Sequence, residues 1–179
     1  ANTSHNVLLV DDQNMNRKGP KINAWRTTPG LDLIDSTYEG LYTNVDHRRA
    51  VVFVRPDYYV MFDRATGKEP HKIGINFWLT PPEVTIDRAN ASVRTNEPNG
   101  SNVLVQVMNP DGIEITERKG SLDLGGIRDD IPVVTFWRSS VQEVDFATLL
   151  YPYPQGGRPD GVRVKRTNFS GSWVYTVET

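Results

Sequence analysis

From His47 to Gly67 the chain reads HRRAVVFVRPDYYVMFDRATG, and no other stretch constrains the fold as much. Ala50 to Val54 and Tyr58 to Phe62 are runs of β-branched and aromatic residues separated only by Arg55-Pro56-Asp57. Proline presets φ at the second position of a tight turn, and an aspartate behind it can bond back to the backbone. Two such runs joined so closely predict an antiparallel hairpin.

The same pattern recurs along the chain. HKIGINFWLT alternates Ile73, Ile75, Phe77 and Leu79 before Pro81-Pro82 stops it, and SNVLVQVM alternates Val103, Val105 and Val107 before the turn Asn109-Pro110-Asp111-Gly112. GIEITERKG, IPVVTFWRSS, VDFATLLYP, GVRVKRTNF and GSWVYTVET read as further strands punctuated by Gly and Pro. INAWRTT is a candidate short strand in an otherwise irregular region from Asn14 to Gly30, whereas DLGGIRDD carries too little apolar content and is expected to form an exposed loop. Helical periodicity is nearly absent. About a dozen short antiparallel strands predict an all-β fold, a β-sandwich with little or no helix, forming one domain over residues 1–179.

An apolar fraction of 37% suits a sheet protein with many solvent-facing positions. The net charge of −2 supplies no basic field for nucleic acid and argues mildly against a free-standing binder of highly sulfated sugar. Cysteine is absent, which does not place the compartment. No apolar run approaches the roughly 20 residues that span a bilayer. No basic segment leads into an apolar core at the start, so a signal peptide is not expected within this sequence. The sequons at Asn90 and Asn168 are read as chance.

The three histidines, His5, His47 and His71, share no spacing that presents two on one face, so a metal site made wholly by this chain is not expected. No serine sits in a strand–turn–helix elbow, and no glycine-rich phosphate loop precedes a helix. Asp11-Asp12 and Asp129-Asp130 read as turn and loop charge, since neighbours in a strand point to opposite faces. Arg48 and Arg49 open a strand beside His47, where a solvated end or a salt-bridged corner is the ordinary reading. Trp78 and Trp137 are expected in the core, while Tyr151 and Tyr153 of YPYPQGG stay open as sugar-stacking candidates alongside Trp25 and Trp173.

Taken in order, several stretches look familiar. SHNVLLVDDQ presents a His-Asn pair, an aliphatic strand and an acidic turn. DHRRAVVFVRPDYYVMFDRATGKEPHKIGINFWLTP presents a His-Arg-Arg start, a hairpin closed on Asp, a histidine and an aromatic strand ending in proline; FWRSS and FATLLYPYP follow. Together they resemble the C-terminal β-domain of heparinase II/III-like polysaccharide lyases, a family that also covers alginate and related oligouronide lyases. The resemblance implies a β-sandwich joined to an N-terminal α/α toroid, in an enzyme cleaving uronic-acid polysaccharides of heparin, heparan sulfate or alginate type by β-elimination. In such chemistry a base takes the C5 proton, a neutral or positive group steadies the carboxylate, and a tyrosine or histidine protonates the leaving oxygen.

The family's catalytic tyrosine and histidines match nothing here and are expected upstream of Ala1, so the isolated chain is expected to be inactive. His5 matches a ligand of a structural zinc whose other ligands, a histidine and an aspartate, are also expected upstream. Arg48, Arg49, Tyr151 and Tyr153 are the candidate contacts to an acidic polysaccharide; His47 and His71 are read as structural. The implied partner is the helical catalytic domain of the same enzyme, with an apolar patch for it near the N-terminal strand, and the implied setting is periplasmic or secreted. A non-catalytic carbohydrate-binding sandwich is the alternative, and a purely structural partner domain a third.

Overall fold

The computed structural model describes residues 5–11, 13, 15–16, 19–123 and 127–179. Among them twelve strands run in order: β1 (Leu8–Val10), β2 (Lys21–Thr28), β3 (Leu31–Tyr42), β4 (Val45–Val54), β5 (Tyr58–Trp78), β6 (Val84–Asp87), β7 (Ser92–Thr95), β8 (Asn102–Val107), β9 (Glu114–Asp123), β10 (Ile127–Tyr153), β11 (Arg163–Phe169) and β12 (Ser172–Glu178). A 3-10 turn at Pro159–Gly161 precedes β11. The strand pairings are antiparallel, as the alternating sequence predicts, and the β4–β5 hairpin turns at Arg55-Pro56-Asp57.

β5 and β10 organise everything else. Each passes through what the sequence divides into two strands: Tyr58 to Phe62 and HKIGINFW lie on β5, IPVVTFWRSS and VDFATLLYP on β10. The two pair twice, Tyr59 to Thr66 against Glu143 to Leu150 and His71 to Trp78 against Val133 to Val141. Register shifts between Arg138 and Glu143, where Ser140 takes φ 57°, separate the two halves. Irregularities of this kind bend a strand and sharpen its twist, so one strand can serve two layers.

The main layer follows the order β2-β3-β4-β5-β10-β8-β7-β6, and the far halves of β5 and β10 carry β1 and β9 as a smaller layer. Leu8, Val10, Ile73, Ile75, Phe77, Ile115, Val134 and Phe136 of the small layer share one buried cluster with Tyr42, Val45, Ala65, Val93, Val105 and Phe146 of the main layer. Phe77 and Phe136 meet edge-on at 6.1 Å. The β11–β12 hairpin covers part of the opposite face of the main layer, packing Val162, Val164, Tyr175 and Val177 over Val60, Met108, Ala147 and Leu149.

Two expectations are corrected here. Trp78 and Trp137 are not core residues; both are half-buried. Each indole lies across a glycine: a Cβ at Gly74 would sit 2.5 Å from the Trp137 ring, and Trp78 covers Gly120 in the same way. Lys72 and Arg118 cap the two rings at 4.9 and 5.2 Å. Missing side chains on the sheet, rather than a deep core, seat these rings. In DLGGIRDD, positions 124–126 lie outside the described residues, but Ile127–Asp130 belong to β10, with Ile127 opposite Asp123 and Arg128 opposite Leu122. An edge segment needs only a backbone partner, which apolar content does not report.

Candidate functional site

The His-Asn pair ahead of β1 is held by three hydrogen bonds. The buried Asn76 on β5 donates its side-chain amide to the His5 carbonyl at 2.9 Å, and the Asn6 side-chain oxygen accepts the Trp78 amide at 2.7 Å. Arg49 on β4 donates to the Asn6 carbonyl at 3.1 Å. These bonds fix both carbonyls and the Asn6 side chain, while His5 is exposed. Asn76 is in turn oriented by the Thr135 hydroxyl, which donates to its side-chain oxygen at 3.0 Å.

Both ends of β1 are fastened as firmly. The Tyr42 hydroxyl donates to the Leu8 carbonyl at 2.5 Å; its burial pushes that hydroxyl up to about 12, with Arg49 pulling weakly the other way. Asp11 accepts from His71 Nδ1 and from the Lys72 amide, both at 2.8 Å. Burial raises the Asp11 carboxyl, but those two donors outweigh it and hold it below the ordinary range. His71 thus fastens a strand end; Asp12 lies outside the described residues.

Behind His5 and Asn6 is a buried charge cluster. One oxygen of Asp63 lies 2.6 Å from both His47 Nε2 and Arg49 Nε. Asp63 is 1% exposed, and its second oxygen, like His47 Nδ1, has no partner. Burial alone would raise the Asp63 carboxyl; the Arg49 charge and the His47 hydrogen bond outweigh it and hold the group ionised below the usual range. Tyr38 stacks on His47 at 5.3 Å. Asp63 and Asn76 were missed as site residues. The only sequence signals were a polar residue interrupting each apolar run, in MFDR and INF.

Arg48 lies on the other face of β4, its guanidinium making two bonds to Asp35 at 2.9 and 2.6 Å. Tyr151 is half-buried against the cluster under the β11–β12 hairpin, and Tyr153 is buried with its hydroxyl donating to the Thr95 carbonyl at 3.2 Å. The structure therefore does not bring the four candidate substrate contacts together; it places Arg49 with His5 and Asn6. As to zinc, a structural site needs three or four converging donors. No group of three His, Cys, Asp or Glu that could hold a metal occurs among the described residues. The described residues by themselves do not assemble such a donor set; they offer one exposed histidine, His5, on a fixed backbone.

Beside Arg49 the same face of the main layer continues into apolar surface. The next two rows of the register are Ile34–Val51–Met61 and Asp32–Phe53–Tyr59. Trp25, Asp32, Ile34, Val51, Phe53 and Tyr59 line a concavity of about 430 Å³. Phe53 and Tyr59 stack at 4.3 Å, Arg55 clamps Asp32, and Trp25 is 66% exposed.

Comparison with known proteins gives this arrangement relatives. The family described as heparinase II/III-like, C-terminal, matches residues 1–130. A heparin-sulfate lyase of Pedobacter heparinus is 27% identical over 160 residues, 87% of this chain and 24% of the relative. A heparin-sulfate lyase of Bacteroides stercoris is 24% identical over 116 residues, 65% of this chain and 17% of the relative. The crystal structure of the heparan sulfate lyase HepC from Pedobacter heparinus has a TM-score of 0.85 at 23% identity, covering 98% of this chain and 29% of its own, which shows a shared fold. The chain spans about a quarter or less of the length of these curated relatives.

Proposed function

Since this chain belongs to the heparinase II/III-like family, matching its C-terminal part, we propose that it serves as the β-sandwich portion of a larger polysaccharide lyase. The observation that carries this reading is the His5–Asn6 segment: its two carbonyls are held by Asn76 and Arg49 and the Asn6 side chain by the Trp78 amide, while His5 is exposed, one step from a broad apolar ledge. An exposed imidazole carried on a segment held in place at its backbone suits a group supplied to a neighbour. The ledge around Trp25, Val51, Phe53 and Tyr59 is a surface that a helical domain of the same protein would cover.

The substrate proposed is a uronic-acid polysaccharide of the heparan sulfate type, because the matched relatives carry heparin-sulfate lyase names, and alginate has no such support. The reaction proposed is β-elimination by groups outside this sequence. This chain's part is to hold His5 as one ligand of a metal shared with the rest of the protein, and to wall the cleft. A periplasmic or secreted setting belongs to the same proposal, since a polymer of this kind is met outside the cytoplasm.

The test is complementation. The purified chain is mixed with the separately expressed helical part of a related lyase, and unsaturated uronate is followed by ultraviolet absorbance on heparan sulfate. Activity is expected from the mixture and not from this chain alone, with loss on His5→Ala. Activity of the chain alone, or complementation unaffected by His5→Ala and by Trp25→Ser together, would overturn the reading.

A further inference from the structure

The face of the main layer opposite His5 carries a second concavity, built from three consecutive register rows across β3, β4, β5 and β10. The first row is Leu33–Val52–Val60–Leu149, the second Asp35–Ala50–Phe62–Ala147 and the third Thr37–Arg48–Arg64–Asp145. The β11–β12 hairpin covers Val60 and Leu149 in the first row. In the second row the small side chains of Ala50 and Ala147 flank Phe62 and leave the floor low. Trp173 and Tyr175 of β12 form the wall. The cleft encloses about 440 Å³, within the roughly 300–1,000 Å³ of small-molecule sites.

Its aromatics are exposed in a way that the core does not explain. Phe62 is 39% and Trp173 51% exposed, and Tyr175 stands 6.1 Å from Phe62 at a tilt. Arg166 lies over one face of the Trp173 indole at 3.6 Å and is itself bonded to Asp111 at 3.2 Å, which steadies the ring and leaves its other face for the cleft. Beside this apolar row stand two guanidinium groups. Arg48 is braced by Asp35 and Arg64 by Glu143, and both arginine side chains remain more than half exposed.

We propose that this cleft is a saccharide-binding site, separate from the His5 face, for a sparsely sulfated uronate-containing chain. A pyranose ring has flat C–H faces that match the aromatic row and a polar edge that matches the charged row, roughly 7 Å away along the strands. A uronate carboxylate would take the exposed edges of Arg48 and Arg64. Asp35 and Asp145 balance the two arginines at the rim, so a densely sulfated segment gains little there, whereas one carboxylate per disaccharide fits. The choice of uronate rests on the proposed lyase function; the aromatic cleft does not.

The test uses the full chain and an unsulfated heparosan hexasaccharide, with cellohexaose and a fully sulfated heparin hexasaccharide as competitors, read by tryptophan fluorescence and calorimetry. Saturable heparosan binding is expected. Trp173→Ala should weaken it about tenfold, the size of one lost aromatic contact, and Arg64→Gln should remove the preference over cellohexaose. Ile127→Ser, on the other layer, serves as the folding and specificity control. No heparosan binding, binding within twofold of the parent in Trp173→Ala, or a preference for cellohexaose or heparin overturns the proposal. Because complementation is measured separately, its failure with saccharide binding intact strikes the lyase reading alone, and the reverse result strikes this cleft alone.

Discussion

Arg48 and Arg49 are neighbours in sequence, each bonded to an aspartate, and they do different work. On a strand they point to opposite faces. Arg49 meets Asp63 in the buried cluster and spends a second donor on the Asn6 carbonyl; Arg48 meets Asp35 at the rim of an open cleft, its own side chain 61% exposed. In the first case the carboxylate is sealed from water and the mostly buried arginine fastens a segment that is proposed to act. In the second, water screens the pair, and its guanidinium is still accessible to a ligand. The same pairing chemistry is structural on one side of a sheet and available on the other.

The sharpest break of this comparison is Arg49→Ala. It strands the Asp63 charge in the interior and should cost about 3–5 kcal/mol of unfolding free energy by urea denaturation. Faster amide exchange at Asn6 and Val7 should accompany it. If the cost is the orphaned charge, Arg49→Met combined with Asp63→Leu should recover most of the lost stability in the same assay. A double variant as unstable as the single one would show that packing around His47, rather than charge, decides.

Acid probes the same cluster without substitution. The Asp63 carboxyl is held below its ordinary value of 3.8 in the folded state, so the unfolded chain takes up its proton first as pH falls. Its stabilisation is therefore complete above about pH 4 and lost as pH drops from there through the folded value. Asp35 is lowered as well, chiefly by its Arg48 hydrogen bonds, and adds in the same direction. Asp63→Asn should flatten the acid limb of the denaturation midpoint against pH much more than Asp35→Asn does. The smallest effect is expected from Arg48→Ala: its departure lets water reach Asp35, and the change in stability should stay within about 1 kcal/mol.

Much of the architecture was legible beforehand because alternation is local. The hairpin from Ala50 to Phe62, the strand ending at Pro81-Pro82 and the antiparallel sandwich all follow from side-chain period and turn residues. That β5 and β10 each run on through two of these segments was not legible, because a bend at a bulge leaves the same polar break in the sequence as a strand end. The candidate site was half legible. His5 was singled out by its place in a resemblance, whereas Asn76 and Asp63, which hold its surroundings, look in isolation like ordinary polar interruptions. Trp173 and Phe62 were no easier, since a stacking surface made from residues 62 and 173 exists only after the C-terminal hairpin has folded back.

By itself, then, the order of residues determined which segments extend, where they turn and which face of each strand is apolar, since those properties depend on neighbours a few positions apart. Tertiary structure alone decided that Arg49 is mostly buried and Arg48 mostly exposed, that two tryptophans rest on glycines, and that His5 stays outside. Each of those outcomes depends on what a distant strand places above or beside the residue, and burial, screening and exposure are properties of that meeting.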